Sequence, residues 1–143
     1  MSRTLLVALM LGLPLAAQAA APAGVTITKP WMRYLLPGIP AGGYMVLHNA
    51  GDQPSVLTGA TSPACGTLML HETQDASGMA MMTMVPAMNI PPHGAVALAP
   101  GGYHLMCMQP RMKTGEHIAV TLSFQDGTSL STSMPVYGAQ TGP

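Results

Sequence analysis

Soft metal ligands dominate the reactive side chains of this sequence. Residues 79–88 read Met-Ala-Met-Met-Thr-Met-Val-Pro-Ala-Met, five Met in ten positions, and residues 104–108 read His-Leu-Met-Cys-Met. Thioether sulfur is neutral and soft, which suits Cu(I) better than a hard cation. It needs no deprotonation, so binding survives modest acidity. It also cannot be lost to disulfide formation, as a Cys thiolate can. On a strand, His104 and Met106 project from one face, two residues apart, and can share one ion; Leu105 and Cys107 face the other way. Met82 and Met84 share a face by the same rule, and His71 ends the apolar run before them. Two imidazoles with two thioethers carry no net charge and match a monovalent ion better than a hard dication.

Other chemistries lack their parts. There is no G-x-S-x-G elbow for a serine nucleophile, no Walker loop and no G-x-G-x-x-G. His71-Glu72 is followed by Thr73-Gln74, so the H-E-x-x-H zinc motif is absent. The five acidic residues form no obvious pair for acid/base work. Met is also a flexible core filler, and Met45, Met69 and Met134 read that way. His48, His93 and His117 read as surface or strand-end residues. Trp31, the single Trp, packs either in the core or near the metal ligands.

The elements that would position these side chains are short runs split by turn residues. Candidate strands are 25–28, 44–48, 55–58, 67–71, 81–85, 95–99, 103–108, 118–124 and 129–134. Asn49-Ala50-Gly51-Asp52, Pro100-Gly101-Gly102 and Asp126-Gly127 are turn sequences, the last a strong hairpin signal. No window sustains a 3.6-residue period. Many short strands at this spacing predict an all-β sandwich or small barrel. No repeat, linker or charged block divides the chain, so residues 20–143 are expected to form a single domain.

The first 19 residues read as a cleaved secretory signal: Arg3, then an apolar stretch from Leu5 to Leu15, then Ala17-Gln18-Ala19 as the cleavage site. No Cys stands near that site, so no lipid anchor is expected, and no later stretch is long and apolar enough to span a membrane. Export places Cys65 and Cys107 in an oxidising compartment, where one disulfide is the default reading. Only 7% of residues are charged, the formal net charge is zero, and 48% are hydrophobic. Nothing here neutralises phosphates, which excludes a nucleic-acid binder, and the chain is too apolar for disorder.

The sequence resembles the periplasmic copper chaperones of the Cu(A)-assembly type, the PCuAC-like proteins, whose signature is H-x(10)-M-x(21)-H-x-M. His71, Met82, His104 and Met106 fit it at every spacing. Lys29-Pro30-Trp31, Ala41-Gly42-Gly43-Tyr44, Thr67-Leu68-Met69-Leu70-His71 and Pro100-Gly101-Gly102-Tyr103-His104 agree with it, and the likeness runs from about Val25 to Met134. The resemblance implies a cupredoxin-like Greek-key β-sandwich of short strands without enzymatic activity. It implies one exposed Cu(I) held by His71, Met82, His104 and Met106, with Met82 selected over Met81 and Met84. Copper would pass to the Cu(A)-bearing subunit of cytochrome c oxidase, directly or through a Sco-like protein, in the periplasm. Some members carry a Met/His-rich tail for further copper; this chain ends Val136-Tyr137-Gly138-Ala139-Gln140-Thr141-Gly142-Pro143, without either. Three alternatives stay open. A blue-copper electron carrier would use Cys107 as a thiolate, although Met106 and Cys107 point to opposite faces. Periplasmic copper storage or resistance would use the same four residues. A metal-free secreted interaction domain would use none of them.

Overall fold

A computed structural model of the chain describes residues 19–140 and 142–143. The expected leader therefore lies, apart from Ala19, outside the described residues. Ten strands follow one another, with no helix among the described residues. They are β1 (Val25–Arg33), β2 (Ala41–Asn49), β3 (Ser55–Thr61), β4 (Thr67–Ala76), β5 (Met79–Met84), β6 (Met88–Ile90), β7 (Gly94–Leu98), β8 (Tyr103–Met108), β9 (His117–Phe124) and β10 (Ser129–Tyr137). Nine of them contain or overlap the runs read from the sequence. The tenth, β6, is three residues long between Pro86 and Pro91 and offers no alternation to read.

The largest extension is at β4 and β5. Residues 72–80 read as a connection, yet they continue the pairing as a hairpin from His71↔Met84 to Ala76↔Met79. Its two-residue turn is Ser77-Gly78, with φ of 54° and 80°. Positive φ at both central residues is what a type I′ turn requires, and that turn matches the twist of the strands it joins. This turn fixes the register of the Met-rich strand, because a slip of one residue would carry every side chain to the other face.

The strands form one sheet in the order β5-β4-β8-β2-β1-β10-β9-β3-β6, with β7 on β2. A further pairing of β3 with β4, Ala60↔Leu68, closes the path into a flattened barrel of two layers. All pairs are antiparallel except β1 with β10. The all-β, sandwich-like architecture is thus the one expected. The core lies between the layers and includes Met32, Met45, Leu47, Leu57, Leu105, Val120, Leu122 and Met134, each 1% exposed or less. Cys65 and Cys107 are bonded to each other, Cα to Cα 5.4 Å, within the usual disulfide range. The bridge joins β8 to the turn that precedes β4, next to Gly66 N–H donating to Met108 C=O at 2.8 Å.

Candidate metal centre

Two neighbouring strands supply the centre. In the β4–β8 ladder, His71 stands opposite His104 and Met69 opposite Met106. Residues directly opposite in a pair share a face of the sheet. Alternation then puts Leu68, Leu70, Leu105 and Cys107, all buried, toward the core. His71, Met69, His104 and Met106 occupy the other face. The two imidazole rings are 5.9 Å apart between centroids and tilted 55° to each other.

The Met-rich β5 adds the third row. Met84 stands opposite His71 and Met82 opposite Thr73, so both thioethers fall on the imidazole face. Met79 and Met81 take the other face. Met82, His104 and Met106 line an open cleft of about 290 Å³ together with Tyr44 and Arg33. His71 is not in its lining; it stands one strand over, beside His104. Burial is graded across the group. His104 is 5% exposed and Met82 is 59% exposed.

The His104 imidazole is held in one orientation. The Gly102 carbonyl accepts from the Thr73 N–H at 3.1 Å and from His104 Nδ1 at 3.0 Å. A carbonyl can only accept, so Nδ1 carries the proton and Nε2 of the neutral ring presents a bare lone pair. That Nε2 and Nδ1 of His71 are the buried side-chain polar atoms left without a partner among the described residues. Buried polar atoms are normally paired, because an unpaired one keeps its full desolvation cost. Two such orphans across one ladder are what an incoming metal ion would satisfy.

The electrostatics narrow the choice of metal. The cleft lining holds one charge, Arg33, and no carboxylate. Among the described residues no three His, Cys, Asp or Glu gather as a metal-binding group. The available donors are therefore two imidazoles and several thioethers, a set for a soft monovalent ion and a poor one for a hard dication. Neither cysteine is free, so no thiolate can complete a blue-copper set.

Burial lowers the pKa of His71 below the ordinary 6.5, and the nearby His104 lowers it further. The neutral imidazole, the form that can act as a ligand, is thus favoured to lower pH than in an ordinary His. Between the lowered folded pKa and 6.5 the unfolded chain binds more protons at this site. The contribution of His71 to stability therefore rises with pH through that window and is lost as pH falls through it. Ring-proton NMR of the metal-free protein is expected to place the His71 midpoint below 6.5. A midpoint at or above 6.5 would contradict this account.

Several surroundings of the centre were not legible as functional. Met69 read as a core filler, but it lies half-buried on the imidazole face opposite Met106; Met45 and Met134 do lie in the core. Strand parity alone could have found Met69, since it is two residues from His71. Tyr44 forms a wall of the cleft, and a Cβ on Gly42 would lie 2.6 Å from its hydroxyl, so its ring leans over Gly42. Gly42 in turn pairs with Met106. Trp31 packs on Tyr44 with ring centroids 4.6 Å apart and planes tilted by 39°, which places it, half-buried, one ring behind the cleft wall. His48 bonds the Thr28 hydroxyl, His93 pairs with Asp52, and His117 is exposed at the start of β9.

Comparison with known proteins places this geometry in context. The family described as "Putative lipoprotein LpqE-like" matches residues 25–136. A protein named "Putative lipoprotein Lxx21020", from Leifsonia xyli subsp. xyli, is 34% identical over 116 residues, spanning 79% of this chain and 69% of the relative. Among solved structures, the copper-bound PCuAC domain from PmoF2 is similar with a TM-score of 0.68 and 25% identity, over 85% of this chain and 99% of that one. CuI-DR1885 from Deinococcus radiodurans is similar with a TM-score of 0.60 and 33% identity, over 89% of this chain and 85% of that one.

Proposed function

This chain belongs to the LpqE-like family, and from that premise we propose that it is a copper metallochaperone with no catalytic activity. It takes one Cu(I) as cargo through His71, Met82, His104 and Met106. The observation that carries this reading is the pair of unpartnered imidazole nitrogens, His71 Nδ1 and His104 Nε2, on residues that stand opposite each other in one ladder. They stand beside a cleft lined by two thioethers and no carboxylate. The copper-bound relatives support the choice of metal.

The graded burial suits carriage rather than storage. His104 and Met106 form the inner half of the set, and Met82 on the edge strand forms the reachable half. A recipient's ligands can reach the ion from the side of the exposed thioether, so the ion passes by ligand exchange with no change of oxidation state. The recipients in this reading are the Cu(A)-bearing subunit of cytochrome c oxidase and a Sco-like protein. The compartment is the periplasm, reached by the leader read at residues 1–19.

The test is a Cu(I) titration of the mature protein under reducing conditions, with X-ray absorption of the product. One equivalent in a colourless complex with mixed nitrogen and sulfur ligands is expected. The loaded protein is then mixed with an apo Cu(A) domain, and the visible spectrum of the filled Cu(A) centre is followed. No Cu(I) uptake, or a first shell without sulfur, would overturn the reading. Uptake without delivery to the Cu(A) domain or a Sco-like protein would leave copper storage in its place.

A further inference from the structure

Each proposed ligand on the imidazole face has its place in the copper reading, but Met84 has none. It is 60% exposed and lies directly opposite His71, on the side of that residue away from His104. Its backbone is fixed: the ladder pairs it with His71, and the next residue, Val85, donates its N–H to Leu70 C=O at 2.8 Å. Its side chain is largely in solvent. Opposite residues on paired strands have Cβ atoms about 4.5–5.5 Å apart. A flexible thioether at that distance can reach an ion already held by His71.

β5 is the last strand of the sheet path, and all six of its residues are exposed. Met82 and Met84 both point from this edge toward His71 and Thr73, whereas His104 and Met106 lie deeper. Met79 and Met81 are comparably exposed, at 68% and 53%, but on the opposite face. The edge thus offers two thioethers to the ion and two that cannot reach it, on the same strand and of the same chemistry.

We infer that Met84 is a transfer ligand, which binds the ion only while it moves between the inner set and a partner. The inference rests on the copper reading above. As the Cu–S bond to Met106 breaks, a Cu–S bond to Met84 forms; the Cu–N bond to His104 then breaks, and the ion is left three-coordinate on His71, Met82 and Met84 at the sheet edge, with the fourth position open to a partner's ligand. Copper remains Cu(I), thioether sulfur remains neutral, and no proton or electron is exchanged. The resident site is left to Met82 because Met82 lines the cleft with His104 and Met106 and Met84 does not.

Rate and equilibrium separate this role from that of a resident ligand. The full mature chain, loaded with Cu(I), is challenged with bicinchoninate. Met84→Leu is expected to slow copper loss about tenfold while equilibrium retention stays that of the native protein. Met82→Leu is expected to lower the equilibrium itself, and Met81→Leu to change neither. A Met84→Leu rate equal to that of Met81→Leu would overturn the proposal. So would a Met84→Leu equilibrium as weak as that of Met82→Leu, which would make Met84 resident. Carbon-13 methyl spectra of the methionines in the native protein give a test without mutation. At half-saturation the Met84 methyl is expected to broaden while those of Met79 and Met81 stay sharp; a sharp, unshifted Met84 methyl would refute the role. Native protein that takes up no Cu(I) would end the parent reading first, and this one with it.

Discussion

Replacing Met82 and Met106 together by Leu is expected to cut Cu(I) retention against a competing chelator by a hundredfold or more, a loss of roughly 3 kcal/mol of binding free energy. The fold is expected to survive. Met82 is 59% exposed on an edge strand and Met106 is half-buried outside the core, so a change of similar volume costs little packing. What disappears is both soft donors, leaving two imidazoles that a borderline dication can use as well as Cu(I) can. The preference for Cu(I) over Zn(II) should therefore collapse along with the affinity. The control is Met79 and Met81 replaced in the same way, since they lie on the same strand but face away. Met69 is unsuitable as a control because it shares the imidazole face. Chelator competition with both metals measures the effect. A double variant that retained Cu(I) like the control would remove the thioethers from the mechanism.

The disulfide carries the second large effect, on stability and not on copper. Cys65 and Cys107 are 42 residues apart in sequence, and both are buried. Constraining a loop of that length removes about 4 kcal/mol of denatured-state freedom in the chain-entropy model. Replacing both by Ser also puts two hydroxyls into apolar surroundings, which adds to the cost. The double variant is expected to melt about 10–20 °C below the native protein. It should still bind one Cu(I), because neither sulfur is on the imidazole face. Calorimetry and copper titration of the same sample check both halves. Loss of copper by a variant that remains folded would show that the bridge holds the ligands in place, and an unchanged melting temperature would contradict its structural role.

How much of this could be read from residue order depended on the range of the signal. Alternation is local, so the faces of His104, Leu105, Met106 and Cys107 followed from strand parity alone. The turn at Asp126-Gly127 was equally local: Gly127 has φ of 83°, and the Asp126 carboxylate accepts from the Thr128 N–H at 3.0 Å. The length of β4 and β5 was missed because residues 72–80 contain few β-branched or aromatic side chains. Ser77-Gly78 is a weaker turn signal than Asn-Gly. That the β4 face meets the β8 face depends on register between strands with β5, β6 and β7 intervening in sequence. Spacing in one chain does not encode that register, and only the signature matched by resemblance pointed to it. Met84 becomes a neighbour of His71 only through cross-strand pairing, whereas Met69, two residues from His71 on β4, was open to the same parity rule.

The β4–β8 ladder also bears on when the centre comes into being. Its two imidazoles lie 33 positions apart in the chain, and no helix or hairpin brings them together. They meet when the non-local pairing of the barrel forms, which is the slow part of folding for such topologies. A chain that has not closed the barrel therefore has its local run of methionines at 79–88 but no assembled imidazole pair, and it offers only part of the donor set. Once the barrel has closed, each tenfold excess of free ion over its dissociation constant adds about 1.4 kcal/mol to the folded state. An ion that binds the closed barrel would therefore also make it harder to unfold.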